Sequence, residues 1–498
     1  MPFNQTKLIK SFNQARDIFD VFSYKTDDTL AEVKTTGYFA QSRYLDDDPA
    51  WIGGVIQAIT ADGYSLLQLS NDGLSVSTIS ATESYSPILA KGDGVTDDTA
   101  AIQATIDSSP SGSRIDISGQ HIVSRVDPGT TDYCLTINKP LHLHLMAGAT
   151  IKLADADITN ATDECHMLDI SSSDVFIDGF GTLDMNKSGQ TDTTIGPTIG
   201  ARTIIHSLGG TYDNIRIKDI RVHDALGDGI KLKGADNTTG VLTNVSVDNI
   251  NMTQCREGIL FHWCNIVRCT SNTLVMDNSD LAQDAFEISE CDDVIFADNY
   301  AEGAKGSGYD LFFAGLRCVC NDNIAKDCGS GIAIGNNTGA GGTGTDYIVK
   351  GNIIDSPQTV FGIGVYLTTG ADRVIIQGNI VRNVVSSSQH AIEARAGSLI
   401  SILDNTIDTT AVGGLGVFVT TGLDGTKING NTIINTASSG IRCDSSSCFI
   451  SHNKMDAETI DDRGTSNLVI NNDVNTLDVA SATTPIHHNN LVAGTWTA

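Results

Sequence analysis

From about residue 215 the chain repeats a short run of alternating aliphatic and polar residues followed by Asn. The copies are SNTL at Asn272, ADNY at Asn299, NDNI at Asn323, KGNI at Asn352, QGNI at Asn379, LDNT at Asn405, NGNT at Asn431 and SHNK at Asn453. Alternation with a period of two marks strands that bury one face, and the interval between successive Asn residues, 22 to 29 positions, marks a stacked repeat. A second column runs in phase, in which one residue precedes a small residue and then an aliphatic strand: Asp228-Gly-Ile, Glu257-Gly-Ile, Asp284-Ala-Phe, Ser307-Gly-Tyr, Ser330-Gly-Ile, Phe361-Gly-Ile, His390-Ala-Ile, Gly414-Leu-Gly and Ser439-Gly-Ile. Two columns sharing one irregular period predict an all-β solenoid, a parallel β-helix of coils with two or three short strands each. Stacking pairs every strand with its copies above and below, so edges survive only at the ends. The Asn column reads as an internal ladder in which each amide bonds the next coil.

Weaker coils occupy 140–185 (LHLHLMAGATIKL, SSDVFIDGFGTLDM), and DDTAAIQATIDS at 97–108 predicts a short capping helix with Asp98 or Thr99 as its cap. Residues 1–88 share neither period. Their strand-and-turn patterns, such as DIFDVFSYKTDDTLAEVKTTGYFAQ and WIGGVIQAITADGYSLLQL, predict a small separate β-rich domain, leaving 89–473 as the β-helix. After about residue 474 the repeat fades, and 474–498 is expected to cap the solenoid or contact neighbouring chains.

Composition narrows the function. With 60 Asp and Glu against 31 Lys and Arg, the formal charge is −29, which argues against nucleic acid as a partner. No window approaches 18 uninterrupted apolar residues, so membrane insertion is not expected, and the first twenty residues lack the apolar core of an export signal. The 11 Cys lack zinc-site spacing and read as buried thiols, in keeping with assembly in a reducing cytoplasm.

Chemistry concentrates in three coils. Asp228, Glu257 and Asp284 are acidic where later members of their column are Ser, Ser, Phe, His, Gly and Ser. Stacked strands lie about 4.8 Å apart, so adjacent carboxyls fall about 5 Å apart and those two coils apart about 10 Å. Retaining glycosidases hold their carboxyl pair about 5–5.5 Å apart and inverting ones about 6.5–9.5 Å, so the column offers catalytic acid and base or nucleophile in either geometry. Stacked like charges also raise one pKa, as a general acid requires. Lys231, Arg256, His262, Glu287, Tyr309 and Asp310 on the same coils are expected to bind substrate, and Trp263, Tyr300, Phe312 and Phe313 cluster nearby as sugar-stacking or core aromatics. The plain alternative is a solvated acidic ladder, with Lys231 and Lys233 on a solvated face. No metal or cofactor is expected; Asp224 and Asp228 could touch a calcium ion, but no dedicated calcium spacing exists.

The run Lys91-Gly-Asp-Gly-Val-Thr-Asp-Asp-Thr-Ala-Ala-Ile-Gln103, followed by coils, resembles the start of pectate-lyase-like β-helix proteins, especially bacteriophage tailspikes, and IDGFGTLD at 177–184 is similar to a coil of polygalacturonases. The resemblance covers about 90–470 and implies a right-handed β-helix. It further implies a homotrimeric, virion-attached depolymerase of a bacterial surface polysaccharide, bound to other tail proteins through residues 1–88, assembled in the host cytoplasm and acting outside the cell. Of the polygalacturonase site, Gly-Asp228-Gly and Arg256-Glu257-Gly fit two motifs loosely, while the Gly-His-Gly and Arg-x-Lys motifs have no counterpart, which argues against pectin as substrate. Hydrolysis by the carboxylate column is the favoured reaction. The rivals are a polyuronate lyase or C5-epimerase using Arg256, His223 or His262, Lys231 and Tyr309, and a spike that binds its receptor without catalysis.

Overall fold

The computed structural model describes residues 30–35, 55–60, 63–69, 76–78 and 90–497, apart from 127–132, 160–164, 192–200, 207–210, 236–239, 277–282, 312–314, 336–343, 360, 366–370, 385–389, 410–413, 437–438, 457, 479–485 and 493–494. The chain divides into two compact units, Met1–Ser84 and Tyr85–Ala498. In the first, the strands Leu30–Thr35, Val55–Thr60, Gly63–Leu69 and Val76–Thr78 form an antiparallel sheet in sequence order. The rest of the segment assigned to the N-terminal domain lies outside the described residues, as do Phe312 and Phe313.

The second unit is a parallel β-helix. Each full coil contributes one strand to each of three sheets; one coil, for instance, runs through Asp228–Lys233 in sheet 1, Leu242–Asp248 in sheet 2 and Asn251–Cys255 in sheet 3 before Glu257–His262 returns to sheet 1. Sheet 1 has 14 strands and sheet 2 has 15. Pairing is parallel and in register, so like positions stack. Ile230, Ile259, Phe286, Tyr309, Ile332, Ile363, Ile392, Val417, Ile441 and Ile460 form one continuous inward column, every member fully buried. Burying each such side chain contributes about 1.5–3 kcal/mol, which is why the period is kept where the surface sequence drifts.

The Asn column forms the expected ladder. Asn352 is representative: its Oδ1 accepts from the backbone N–H and Nδ2 of Asn323 at 2.9 and 3.0 Å, and its own Nδ2 donates to Asn379 Oδ1 and to the Cys320 carbonyl, each at 2.9 Å. One amide therefore satisfies the sharp turn between sheets 2 and 3 in two coils, where the turn backbone has no sheet partner. The ladder continues through Asn472 and Asn490. Stacking thus runs on past residue 474: Ile486–His488 pairs with Leu468–Ile470 and Asn490–Val492 with Asp473–Val474, after which Thr495–Thr497 turns back antiparallel.

The second column marks the corner between sheets 3 and 1. A Cβ on Gly229 would lie 2.4 Å from Met252, and one on Gly331 2.3 Å from Ile354, so the small residue lets sheet 3 pack against the start of each sheet 1 strand. Registration also corrects the column at one point: His390 pairs with Leu415, so the coil reads Leu415-Gly-Val, one residue later than expected.

The helix spans Thr99–Ser108 and buries Ile102 and Ile106. Neither expected cap holds. Asp98 precedes the helix without capping it; its carboxylate accepts the Lys91 and Gly92 N–H groups at 2.9 Å and meets His121 Nδ1 at 2.8 Å, which ties the Lys-Gly-Asp-Gly loop to the first coil. The Thr99 hydroxyl donates back to Asp97 at 2.6 Å. All 11 Cys are buried and free, and among the described residues no helix is long and apolar enough to cross a membrane.

Candidate active site

Sheet 1 strands begin with two inward residues in succession, the column glycine and the aliphatic after it. That break in alternation brings the residue before the glycine and the one three positions on to the same outer side. Asp228 and Lys231 consequently meet, with Lys231 Nζ 3.0 Å from Asp228 Oδ2. Register then assembles the rest. Asp228 stands beside Glu257, and Gly258 N–H donates to the Asp284 carbonyl, which places Asp284 in the next coil of the same row. Three residues along, Lys231, Leu260, Glu287 and Asp310 form a second outward row. Five carboxyl groups and one ammonium thus share one face over four coils.

Burial and crowding raise the carboxyl groups on this face. Burial lifts the Glu257 carboxyl well above its ordinary range; Asp228, which shares a side-chain hydrogen bond with it, and Glu287 lift it further, against the pull of Lys231. Glu287 is pushed up to about 7 by burial and by Asp284, with Lys231 opposing. Asp284 is raised by burial although the Ser307 backbone N–H donates to it, and Asp310 is raised well up by burial, then by Asp284 and Glu287. Two rows of carboxyls in contact cannot all ionise together. Glu257, the carboxyl raised by burial and by its neighbours, thus stands beside Asp228, a carboxyl that is ion-paired with Lys231.

The remaining expected residues separate. Arg256 is buried in the turn between Cys255 and Glu257. His262 lies two residues beyond the second row and pairs in register with Lys233; burial, then Lys233 and Lys231, lower it to about 4, so it is neutral at pH 7. It packs against Trp263, ring centroids 4.0 Å apart, with Lys233 Nζ 4.9 Å from the Trp263 ring centre. Tyr309 is not on this face. It occupies the inward column, fully buried, its hydroxyl donating to the Asn299 carbonyl at 2.8 Å and its ring stacked on Phe286 at 4.9 Å. Its place two residues after Ser307, the column of Ile230 and Ile259, dictates this. Tyr300 lies in sheet 3 and donates to Glu302. His223 and Asp224 meet each other at 3.3 Å on the corner beside sheet 3; Asp224 turns to His223 while Asp228 turns to Lys231. One neighbour escaped the sequence reading: Asp169, two coils earlier on the Lys231 row, is raised to about 6 by burial. Its coil carries no Asp-Gly-Ile signal that would have drawn attention to it.

A model of the right-handed β-helix region matches residues 204–379, the coils that carry this face. The fold is a right-handed parallel β-helix. No curated protein sequence matches it. In structure this β-helix protein is similar to the A-module of the mannuronan C-5 epimerase AlgE6 of Azotobacter vinelandii, with 16% identity over 80% of this chain and 97% of that one and a TM-score of 0.50. It is similar also to the tailspike protein of E. coli bacteriophage HK620 in complex with a pentasaccharide, with 14% identity over 80% of this chain and 75% of that one and a TM-score of 0.54. At these identities the likeness is one of fold.

Proposed function

We propose that this β-helix protein is a tailspike-like depolymerase that hydrolyses glycosidic bonds of a bacterial surface polysaccharide. The observation that carries the reading is the acidic face of sheet 1, where burial and crowding raise the Glu257 carboxyl well above its ordinary range and poise Glu287 near 7. A buried cluster of this kind lowers stability, and perturbed carboxyls gathered on one face are the arrangement that acid–base chemistry needs.

In this mechanism Glu257 protonates the glycosidic oxygen as its bond to the anomeric carbon breaks. Glu287, in its ionised form, takes a proton from the water that attacks the anomeric carbon, releasing a new reducing end. Asp228 and Lys231 position the acid: the Asp228 carboxylate accepts the hydrogen bond from the Glu257 carboxyl, and Lys231 fixes Asp228. One coil and three residues separate Glu257 from Glu287, about 11 Å at the backbone, wider than adjacent positions in one row and suited to a carboxyl pair with room for water over a covalent intermediate. Asp284 raises the base, and Asp310 pairs with it in register on the next coil. A homotrimer, attached to a virion tail through residues 1–88 and acting outside the host cell, fits the likeness to a tailspike, whose structure holds a pentasaccharide.

A polyuronate lyase is the second reading, favoured by the neutral His262 beside the strand that carries Lys231 and Lys233. His262 would abstract the C5 proton while Lys231 and Lys233 neutralise the sugar carboxylate; Tyr309, inside the core, takes no part. Glu257→Gln separates the two. It should cut turnover by about 100-fold or more in the hydrolase while leaving oligosaccharide binding intact, whereas near wild-type turnover with a dead His262→Gln variant would overturn the hydrolytic assignment.

A further inference from the structure

The alternating run Leu141-His-Leu-His-Leu145 reads in sequence only as a strand. In the fold it lies in sheet 2, two leucine-flanked histidines facing outward beside the strand Val175–Gly179. Register sets Phe176 next to His142 and Asp178 next to His144. Phe176 stacks on the His142 ring at 4.5 Å and 25°, fixing its orientation, and the two imidazoles stand at 82° to each other, 6.0 Å apart. Their nitrogens converge on one atom: His142 Nε2 and His144 Nδ1 lie 2.9 and 2.5 Å from the same oxygen, Asp178 Oδ1. One nitrogen from each ring and one carboxylate oxygen all lie within 4.8 Å of one another. On the other side of His144, Asp116 is held by Arg114 at 2.6 Å and so kept off the cluster.

We propose that His142, His144 and Asp178 bind one divalent transition-metal ion of the zinc class, with a fourth position open to water. Two imidazoles and one carboxylate suit zinc, cobalt or nickel, and the absence of an all-oxygen cage disfavours magnesium and calcium. Donors of a tetrahedral zinc ion stand about 2.0–2.2 Å from the metal and so roughly 3.3 Å from each other; the observed 2.9 and 2.5 Å separations open to that by less than about 1 Å through side-chain rotation alone. The side chains retain 24%, 21% and 14% exposure, enough for an ion to enter and for water to complete the shell. The site lies on a different sheet from the acidic face. An ion there joins the strands Leu141–Leu145 and Val175–Gly179 in the early coils near the capping helix, so its effect is to brace the N-terminal end of the solenoid.

The test is titration of the metal-stripped full-length protein with Zn2+ by calorimetry, and with Co2+ followed by visible absorption. The proposal expects one ion per chain, the intense visible bands of a low-coordinate cobalt site with nitrogen ligands, and a melting temperature that rises with Zn2+ but not with Mg2+. His144→Gln and Asp178→Asn should each weaken binding by about 100-fold or more, while His223→Gln, in the His223 and Asp224 pair, should bind as the wild type does. Should a ligand variant fail to fold, the wild-type cobalt spectrum still decides. A pale octahedral spectrum, no saturable Zn2+ binding, or affinity unchanged in His144→Gln would overturn the site.

Discussion

Replacing Glu287 by Gln separates the strain of the acidic face from its chemistry. In the fold the Glu287 carboxyl titrates at about 7 in place of 4.5, chiefly because it is buried and faces Asp284. Below pH 4.5 folded and unfolded chains both hold the proton, and the group costs nothing. Between 4.5 and 7 the unfolded chain ionises while the folded one keeps its proton, so stability falls as pH rises; above 7 the loss is complete. At about 1.4 kcal/mol per pH unit, the difference amounts to about 3 kcal/mol. The amide keeps the shape of the carboxyl and cannot ionise. Unfolding by urea, followed by circular dichroism, should therefore show wild type and Glu287→Gln close together at pH 4.5 and the variant more stable by up to about 3 kcal/mol at pH 8. The same substitution should lower polysaccharide hydrolysis by about 100-fold or more, because the base is gone. A variant with the wild-type dependence of stability on pH would refute the electrostatic reasoning; one that gains stability at pH 8 and keeps full activity would leave the strain intact and remove Glu287 from the mechanism.

Three further outcomes follow from the same geometry. The pH profile of kcat/KM should rise through about 7 as Glu287 ionises, and a rising limb near 4 would contradict the assignment of the base. Asn352→Ala removes four buried hydrogen bonds from the ladder and should destabilise the chain by about 3–5 kcal/mol, measured by thermal or urea unfolding. Tyr309→Phe should cost about 1 kcal/mol through the lost bond to Asn299 and leave turnover unchanged; a large drop in turnover would place Tyr309 in the chemistry.

The solenoid was legible because stacking forces like residues onto like positions: the Asn ladder needs an amide at every turn between sheets 2 and 3, and the corner between sheets 3 and 1 admits only a small residue. Both requirements recur in each coil and therefore show as columns. The acidic row Asp228, Glu257 and Asp284 was readable for the same reason. The second row was less so, since Glu287 and Asp310 join Lys231 only through the double inward step at the column glycine, a local break in the pattern that simple alternation does not foresee. Tyr309 went the other way: its column position already placed it inside, and its hydroxyl suggested chemistry that the register denies. The His142, His144 and Asp178 cluster depends on pairing between coils 34 to 36 residues apart, in the stretch where the repeat is weakest, so no column announced it. The helix cap failed because Asp98 finds better donors in the loop before it than in the first turn of the helix.

The central claim is that the acidic face cleaves glycosidic bonds by hydrolysis. Its most direct test is to incubate the full-length protein, and Glu257→Gln beside it, with capsular, O-antigen and exopolysaccharide polymers together with alginate, recording new reducing ends and the ultraviolet absorbance of unsaturated uronates at once. The account predicts reducing ends without absorbance from the wild type on at least one surface polysaccharide, and none from Glu257→Gln. Reducing ends accompanied by matching absorbance, or equal yields from the two proteins, would contradict it.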